Sequence, residues 1–121
     1  MTTAHDPQLL KGVLSVLLLK LLAERESYGY ELVQRLHSLG LEFIADGTVY
    51  PALSRLEREG RVTARLVSSR SGPARKYYRP TPAGYDALTE GTADWRALVA
   101  IVTPALAPAT PRQPAPPTED N

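Results

Sequence analysis

A chain of 121 residues with 43% hydrophobic and 22% charged residues has the length of one domain and the composition of an ordinary soluble globular protein. It contains no cysteine, which excludes disulfides, thiolate metal sites and a cysteine nucleophile and fits a reducing compartment. The formal net charge of +1 names no partner, but its distribution does: between Arg55 and Arg79 eight basic residues face only Glu57 and Glu59, so this segment carries +6 on a remainder of −5.

Taken in order, Met1 to Pro7 offer nothing to anchor them and are expected to be loose. A first helix is expected from about Gln8 to Glu24. Leu10, Val13, Leu14, Leu17 and Leu21 form one stripe, and Leu9, Val16, Leu18, Leu19 and Leu22 widen it almost all round. Such a helix must be buried on more than one side, and in so small a protein the second side points to a partner subunit meeting Leu10, Leu14 and Leu17. The apolar run is bounded by Lys11 and Lys20. It is too short for a bilayer, which takes about 20 apolar residues, and it lacks the basic leader and cleavage site of a signal peptide. The expectation is a cytoplasmic protein with no membrane partner.

A second helix starts at Ser27-Tyr28-Gly29-Tyr30-Glu31 and reaches about Leu39, with Leu32, Val33, Leu36 and Leu39 facing the core and Gly40 as its stop. His37 lies among polar residues and is expected to face solvent. Leu41 to Ala45 form a short connector, with Phe43 and Ile44 available to the core. A third helix covers Gly47 to Gly60. Val49, Leu53 and Leu56 fall at i, i+4 and i+7 and line one face, leaving Thr48, Ser54, Arg55 and Arg58 to face out. Asp46 or Thr48 can cap its start; if Thr48 does, Pro51 falls in the first turn, where its missing N–H costs no bond. Gly60 suits the left-handed position past the end. The exposed face offers hydroxyls, the Tyr50 phenol and guanidinium groups, all of which hydrogen-bond phosphates and base edges. Two short helices joined by a brief connector, the second polar and basic on one side, make the helix-turn-helix pattern.

After Gly60 the period changes. Val62, Ala64 and Leu66 alternate with Arg61, Thr63 and Arg65 as in a strand. Ser68 to Pro73 is a turn cluster, and Lys76-Tyr77-Tyr78-Arg79 is a second strand. The pair forms a β-hairpin with Arg70, Arg75 and Lys76 near its tip, where they suit phosphates. Thr81 caps a fourth helix with Pro82 at its first position, and Pro104 ends it near Val102 or Thr103. Tyr85, Leu88, Trp95, Leu98, Val99 and Val102 give it an apolar stripe in which Leu88, Trp95 and Val102 recur near a heptad. Nothing else in the chain is left to cover this stripe, so a seam with a second copy is expected, weakened at Gly91. The tail holds Pro104, Pro108, Pro111, Pro114, Pro116 and Pro117 and is expected to be disordered. The organisation is therefore mainly α (α+β): a winged helix-turn-helix over residues 1–80, a C-terminal dimerisation helix over 81–103 and a tail over 104–121.

Catalysis finds no support. His5 and His37 are the only histidines, and neither sits in metal or triad spacing. No glycine-rich phosphate loop or carboxylate pair stands out, so no catalytic residue, metal or cofactor is expected.

The order of elements, with Leu10-Lys11-Gly12, Tyr28-Gly29-Tyr30-Glu31-Leu32, Gly47-Thr48-Val49-Tyr50-Pro51-Ala52-Leu53, Arg55-Leu56-Glu57, Gly60, Lys76-Tyr77-Tyr78, Thr81 and Gly84, resembles the PadR family of bacterial transcriptional regulators. The likeness covers roughly residues 9 to 102, and the single long final helix resembles the short subfamily. Pro80 departs from the pattern, which has an aliphatic residue before the capping threonine, and is expected to loosen the end of the wing strand. The resemblance implies a homodimer on pseudo-palindromic operator DNA, usually a repressor, with the third helix in the major groove and the wing on the flanking backbone. Carried onto this sequence, it makes Thr48, Tyr50, Ser54 and Arg55 the first reading candidates, with Arg58 beside them. Tyr50 suits a phosphate and Arg55 a guanine edge. Tyr28 braces the backbone, and Arg70, Arg75 and Lys76 hold phosphates in or beside the minor groove. Tyr30 and Tyr78 belong to core or interface. The resemblance also implies that a planar aromatic effector can bind between subunits, where Trp95 stands; the alternative role for Trp95 is a plain dimer anchor. A second reading of the whole chain is a winged helix that binds protein without specific DNA binding, against which the basic wing argues.

Overall fold

The computed structural model describes residues 7 to 109; the expectations for the residues before Pro7, and for the tail beyond Ala109, lie outside the described residues. The element order is α1 (Pro7–Lys11), α2 (Leu14–Glu24), β1 (Ser27–Tyr28), α3 (Gly29–Ser38), α4 (Asp46–Arg58), β2 (Val62–Ser69), β3 (Gly72–Pro80) and α5 (Pro82–Ala105). It is a winged helix-turn-helix: α3 and α4 are the helix pair, β2 and β3 the wing, and α5 the appended long helix.

The expected first helix is in fact two. The chain turns at Gly12 and Val13, where the Val13 N–H donates to the Leu10 carbonyl at 2.9 Å, and α2 starts afresh. Glycine is a poor helix former, and the break lets Leu10 and Leu14 both point inward. They are buried in the protomer's own core, so of the three residues expected to meet a partner there, only half-buried Leu17 keeps an open side. Pro7, expected to be loose, opens α1.

Leu18, Leu19 and Leu22 of α2 pack with Leu32 and Leu36 of α3 and with Val49, Leu53 and Leu56 of α4 in one cluster closed by Ile44, Val62 and Tyr78. The i, i+4, i+7 reading of α4 therefore holds, as does the core role of Tyr78. Leu39, expected in the core, is exposed past the last turn of α3, and Tyr30, expected in the core or an interface, is not in the core but exposed on the outer face of α3. Gly40 and Gly60 take positive φ, 111° and 74°, as their stop positions require. His37 is not a free surface residue. It is half-buried, and its Nε2–H donates to the Ile44 carbonyl at 2.6 Å, holding the connector before α4.

The sheet is antiparallel in the order β1-β3-β2. Its first strand was not expected. Ser27 and Tyr28, read as the start of a helix, pair instead with Tyr78 and Tyr77. Ser27 is fully buried, and its hydroxyl accepts from Arg35 Nη1 at 2.9 Å while Arg35 Nη2 reaches Glu24 at 3.0 Å. A serine so tied satisfies its buried polar atom and fixes the strand end. The hairpin strands are longer than expected and meet at a two-residue connection, Arg70-Ser71, with a register irregularity between Val67 and Ser69. Pro80 does not loosen β3; it is buried opposite Val62 as its last residue.

Thr81 starts α5 as expected. Its Oγ1 accepts from the Gly84 N–H at 3.1 Å and its hydroxyl donates to the Gly60 carbonyl at 2.6 Å, joining the end of the helix pair to the long helix. Pro104 does not end α5 but lies in its last turn, which Leu106 N–H closes onto the Val102 carbonyl at 2.9 Å. The bond its missing N–H forfeits is on the exposed end of the helix, where water replaces it. Gly91 is a contact and not a defect: a Cβ there would stand 2.6 Å from Val16 Cγ2, so its absence lets α5 cross α2 closely. Gly84 is more demanding, since a Cβ there would stand 1.9 Å from the Arg61 carbonyl oxygen. Gly84→Ala is expected to lower the unfolding free energy by about 1–3 kcal/mol, the usual cost of overpacking. The measurement is a fall in the urea midpoint at unchanged slope; an unchanged midpoint would show that α5 shifts without cost.

No helix among the described residues is long and apolar enough to cross a membrane. On α5, Leu88 is half-buried against the protomer's core, and Val99 is half-buried too. Tyr85, Trp95, Leu98 and Val102 of the expected stripe are exposed, as are Ile101 and Leu106.

Candidate nucleic-acid interface

The inner face of α4 is fixed by Val49, Leu53 and Leu56, and this rotation leaves Thr48, Ser54, Arg55 and Arg58 exposed. The helix starts earlier than expected. Neither Asp46 nor Thr48 is its cap: Ala45 holds that position, and its carbonyl accepts from the N–H of Thr48 at 2.9 Å. Asp46 instead places its carboxylate in the first turn, beside the positive end of the helix. Pro51 consequently lies inside the helix and not in its first turn. It takes one hydrogen bond from the carbonyl of Gly47, a loss made tolerable because Gly47 is exposed to water.

Tyr50 does more than project. Its ring covers the start of α3 so closely that a Cβ on Gly29 would stand 2.3 Å from Cε1 and 2.9 Å from the phenol oxygen. Gly29 is thus what allows α4 to dock on α3 at this point. Here Tyr28, Gly29 and Tyr50 face Ala74, Arg75, Lys76 and Tyr78 of the wing across an open cavity of about 330 Å³. Arg75 lies 4.5 Å over the ring of Tyr28, and Tyr28 meets Tyr77 edge-on with centroids 5.2 Å apart. Arginine over an aromatic face is a favourable, orienting contact. Four expected site residues, Tyr28, Tyr50, Arg75 and Lys76, come together at this junction. Arg70 does not join them; it sits alone at the turn. Arg75 and Lys76 are not at the tip but partway along the wing, opposite Val67 and Leu66.

The basic residues divide in two. Arg55 donates to Glu59 at 3.1 Å, one turn on, and Arg61 reaches the same carboxylate at 3.6 Å. Arg65 grips Glu26 with two bonds of 2.7 and 2.9 Å. The hydrogen bond from Arg65 holds the Glu26 carboxyl below the usual carboxylate range, and the same bond raises Arg65. Lys76 donates to Glu57 at 2.8 Å, and that bond raises the lysine above its ordinary value. Burial pushes the neighbouring Tyr78 phenol up, so it stays neutral. Arg58, Arg70, Arg75 and Arg79 have no carboxylate partner among the described residues. Arg79 was counted in the basic segment but not among the expected site residues. The signal was present: Arg75, Tyr77 and Arg79 alternate onto one face of β3.

A second cavity, of about 410 Å³, lies between α2 and α5. Val13, Val16, Leu17, Leu41 and Trp95 make its apolar wall, and Lys20 and Arg96 also border it. Trp95 is 47% exposed.

Residues 18–90 match the model of the transcriptional regulator PadR-like family. A transcriptional regulator of Mycobacterium tuberculosis is 45% identical over 78 residues, covering 63% of this chain and 66% of that protein. An uncharacterised protein of Lysinibacillus sphaericus is 31% identical over 96 residues, 78% of this chain and 88% of that one. Among solved structures, a PadR-like transcriptional regulator from Bacillus cereus superposes with a TM-score of 0.74 at 36% identity, over 84% of this chain and 99% of its own. A PadR family transcriptional regulator from Eggerthella lenta superposes with a TM-score of 0.76 at 36% identity, over 85% and 89%.

Proposed function

This chain belongs to the PadR-like family of transcriptional regulators, a family of regulators and not of enzymes, and on that premise we propose that it is a homodimeric repressor that binds pseudo-palindromic operator DNA and is released by a planar aromatic effector. Residues 1–80 form the DNA-binding unit, and the helix that follows makes the dimer through Trp95, Leu98, Val99 and Val102, with Leu88 at its inner end. The observation that carries the reading is the cavity that Tyr50 of α4 and Arg75 of β3 both line, because it sets the reading helix and the wing side by side. Thr48, Ser54, Arg55 and Arg58 enter the major groove, Tyr28 and Tyr50 take the phosphates at its edge, and Arg70 and Arg75 take those beyond it. A cavity whose wall includes Trp95 supports the effector, since ligand sites are concave and mostly apolar.

Selection of bound fragments from genomic DNA, followed by footprinting, tests this. Protection is expected at two half-sites about 10 bp apart, or a multiple of one helical turn, with two copies of the chain bound. A single protected half-site bound by a monomer would overturn it. Arg55 has its own test. Its exposed bond to Glu59 is weak enough to exchange for a guanine edge. Arg55→Ala is expected to cost about 1–3 kcal/mol of operator affinity while leaving random DNA nearly unaffected. Equal losses on both would make Arg55 a phosphate ligand.

A further inference from the structure

We infer that Glu57 is a positioning residue for DNA reading: it ties Lys76, and through it the wing, to the reading helix, so that Lys76 spends its charge inside the protein and not on a phosphate. The inference rests on the proposed DNA binding. The wing is fully buried only at its base, at Val62, Tyr78 and Pro80. From Arg70 to Lys76 every residue is exposed. Nothing in a bare hairpin of this kind fixes its tilt. Besides the Arg65–Glu26 pair and the Tyr28–Tyr77 contact nearer the base, two contacts do so here from adjacent residues on opposite faces of β3, because successive residues alternate sides. On one face Arg75 lies over Tyr28. On the other Lys76 reaches Glu57 at 2.8 Å, with its ammonium 5.6 Å from the centre of the buried Tyr78 ring. Glu57 sits in the last turn of α4, so this bond runs directly from the reading helix to the wing.

Charge gives the second argument. A lone carboxylate at this junction would repel the DNA backbone. Paired with Lys76 at 2.8 Å it is neutral to a phosphate, and the bond raises the lysine above its ordinary value. An exposed ion pair adds little stability, so what it supplies here is geometry.

The double variant Glu57→Gln with Lys76→Met removes the tie without changing net charge. Operator and random DNA affinities are measured for it across a salt series, beside the wild type, Glu57→Gln alone and the swap Glu57→Lys with Lys76→Glu. The double variant is expected to keep the wild-type salt slope and to lose operator-over-random discrimination by roughly fivefold, the upper end for an exposed pair. The swap, which rebuilds the tie with its ends exchanged, is expected to restore discrimination. Tighter binding to all DNA in Glu57→Gln is the expected result of freeing the Lys76 charge, whereas a salt slope smaller by about two in the double variant, one for each subunit, would show that Lys76 is a phosphate ligand and overturn the inference. So would undiminished discrimination in the double variant, or a swap that rescues nothing. Wild-type protein that fails to bind operator at all would instead sink the proposed function, before any variant is compared.

Discussion

Operator affinity is expected to fall by about 10³-fold when salt rises from 50 to 200 mM. The size follows from which cations are free. At this interface Arg58, Arg70, Arg75 and Arg79 form no ion pair among the described residues, so the proposed dimer would present eight such guanidinium groups to DNA. If about six of them displace counterions, the slope of log affinity against log salt is roughly −5, which over this range gives the stated loss. Arg55 adds to the slope only to the extent that DNA strips it from Glu59. If Arg61, Arg65 and Lys76 also met phosphates, the slope would be far steeper. Fluorescence anisotropy on a labelled operator at several salt concentrations reads this directly. A flat dependence would remove DNA from the function, and a slope of roughly −11 would mean that the ion pairs of Arg61, Arg65 and Lys76 open on binding.

The same division marks the boundary of what the sequence could say. The excess of six positive charges between Arg55 and Arg79 was legible, but it overstates the charge on offer. The bond between Glu57 and Lys76 spans 19 residues and that between Glu26 and Arg65 spans 39, and no local pattern announces either. Local chemistry was legible wherever it decided the outcome alone. The buried face of α4 follows from period, the stops at Gly40 and Gly60 from the need for positive φ, and the start of α5 from a threonine before proline. It failed where distant partners overrode it. Ser27 and Tyr28 look like a helix start, yet Tyr77 and Tyr78 draw them into a strand and delay α3 to Gly29. Tyr50 was legible as an exposed phenol. That Gly29 must lack a side chain for its ring to lie where it does was not.

Trp95→Ala is expected to weaken the dimer by about 3–5 kcal/mol, the usual cost of truncating a large aromatic residue at a packed site. That is a rise of roughly 10²–10³-fold or more in the dimer dissociation constant. In the protomer the ring is only half covered, with 47% of the residue exposed. One part lines the cavity against Val16 and Leu17, and the rest joins Leu98, Ile101 and Val102 on the uncovered side of α5. A tryptophan so placed is an anchor only when a second copy covers it. The cavity adds an independent consequence. As Trp95 is the only tryptophan, a planar aromatic compound that enters should quench the intrinsic fluorescence of the wild type. It lowers operator affinity only if it prefers one spacing of the two reading helices over the other. Sedimentation velocity at stepped protein concentrations measures the first effect. Operator binding with and without the compound measures the second, and in Trp95→Ala the response should vanish even at concentrations where the variant is fully dimeric. A dimer equally tight after Trp95→Ala would place the interface elsewhere on the chain. Quenching without any change in operator affinity would leave a binding site that does not regulate, because binding energy that fails to distinguish two states cannot shift the balance between them.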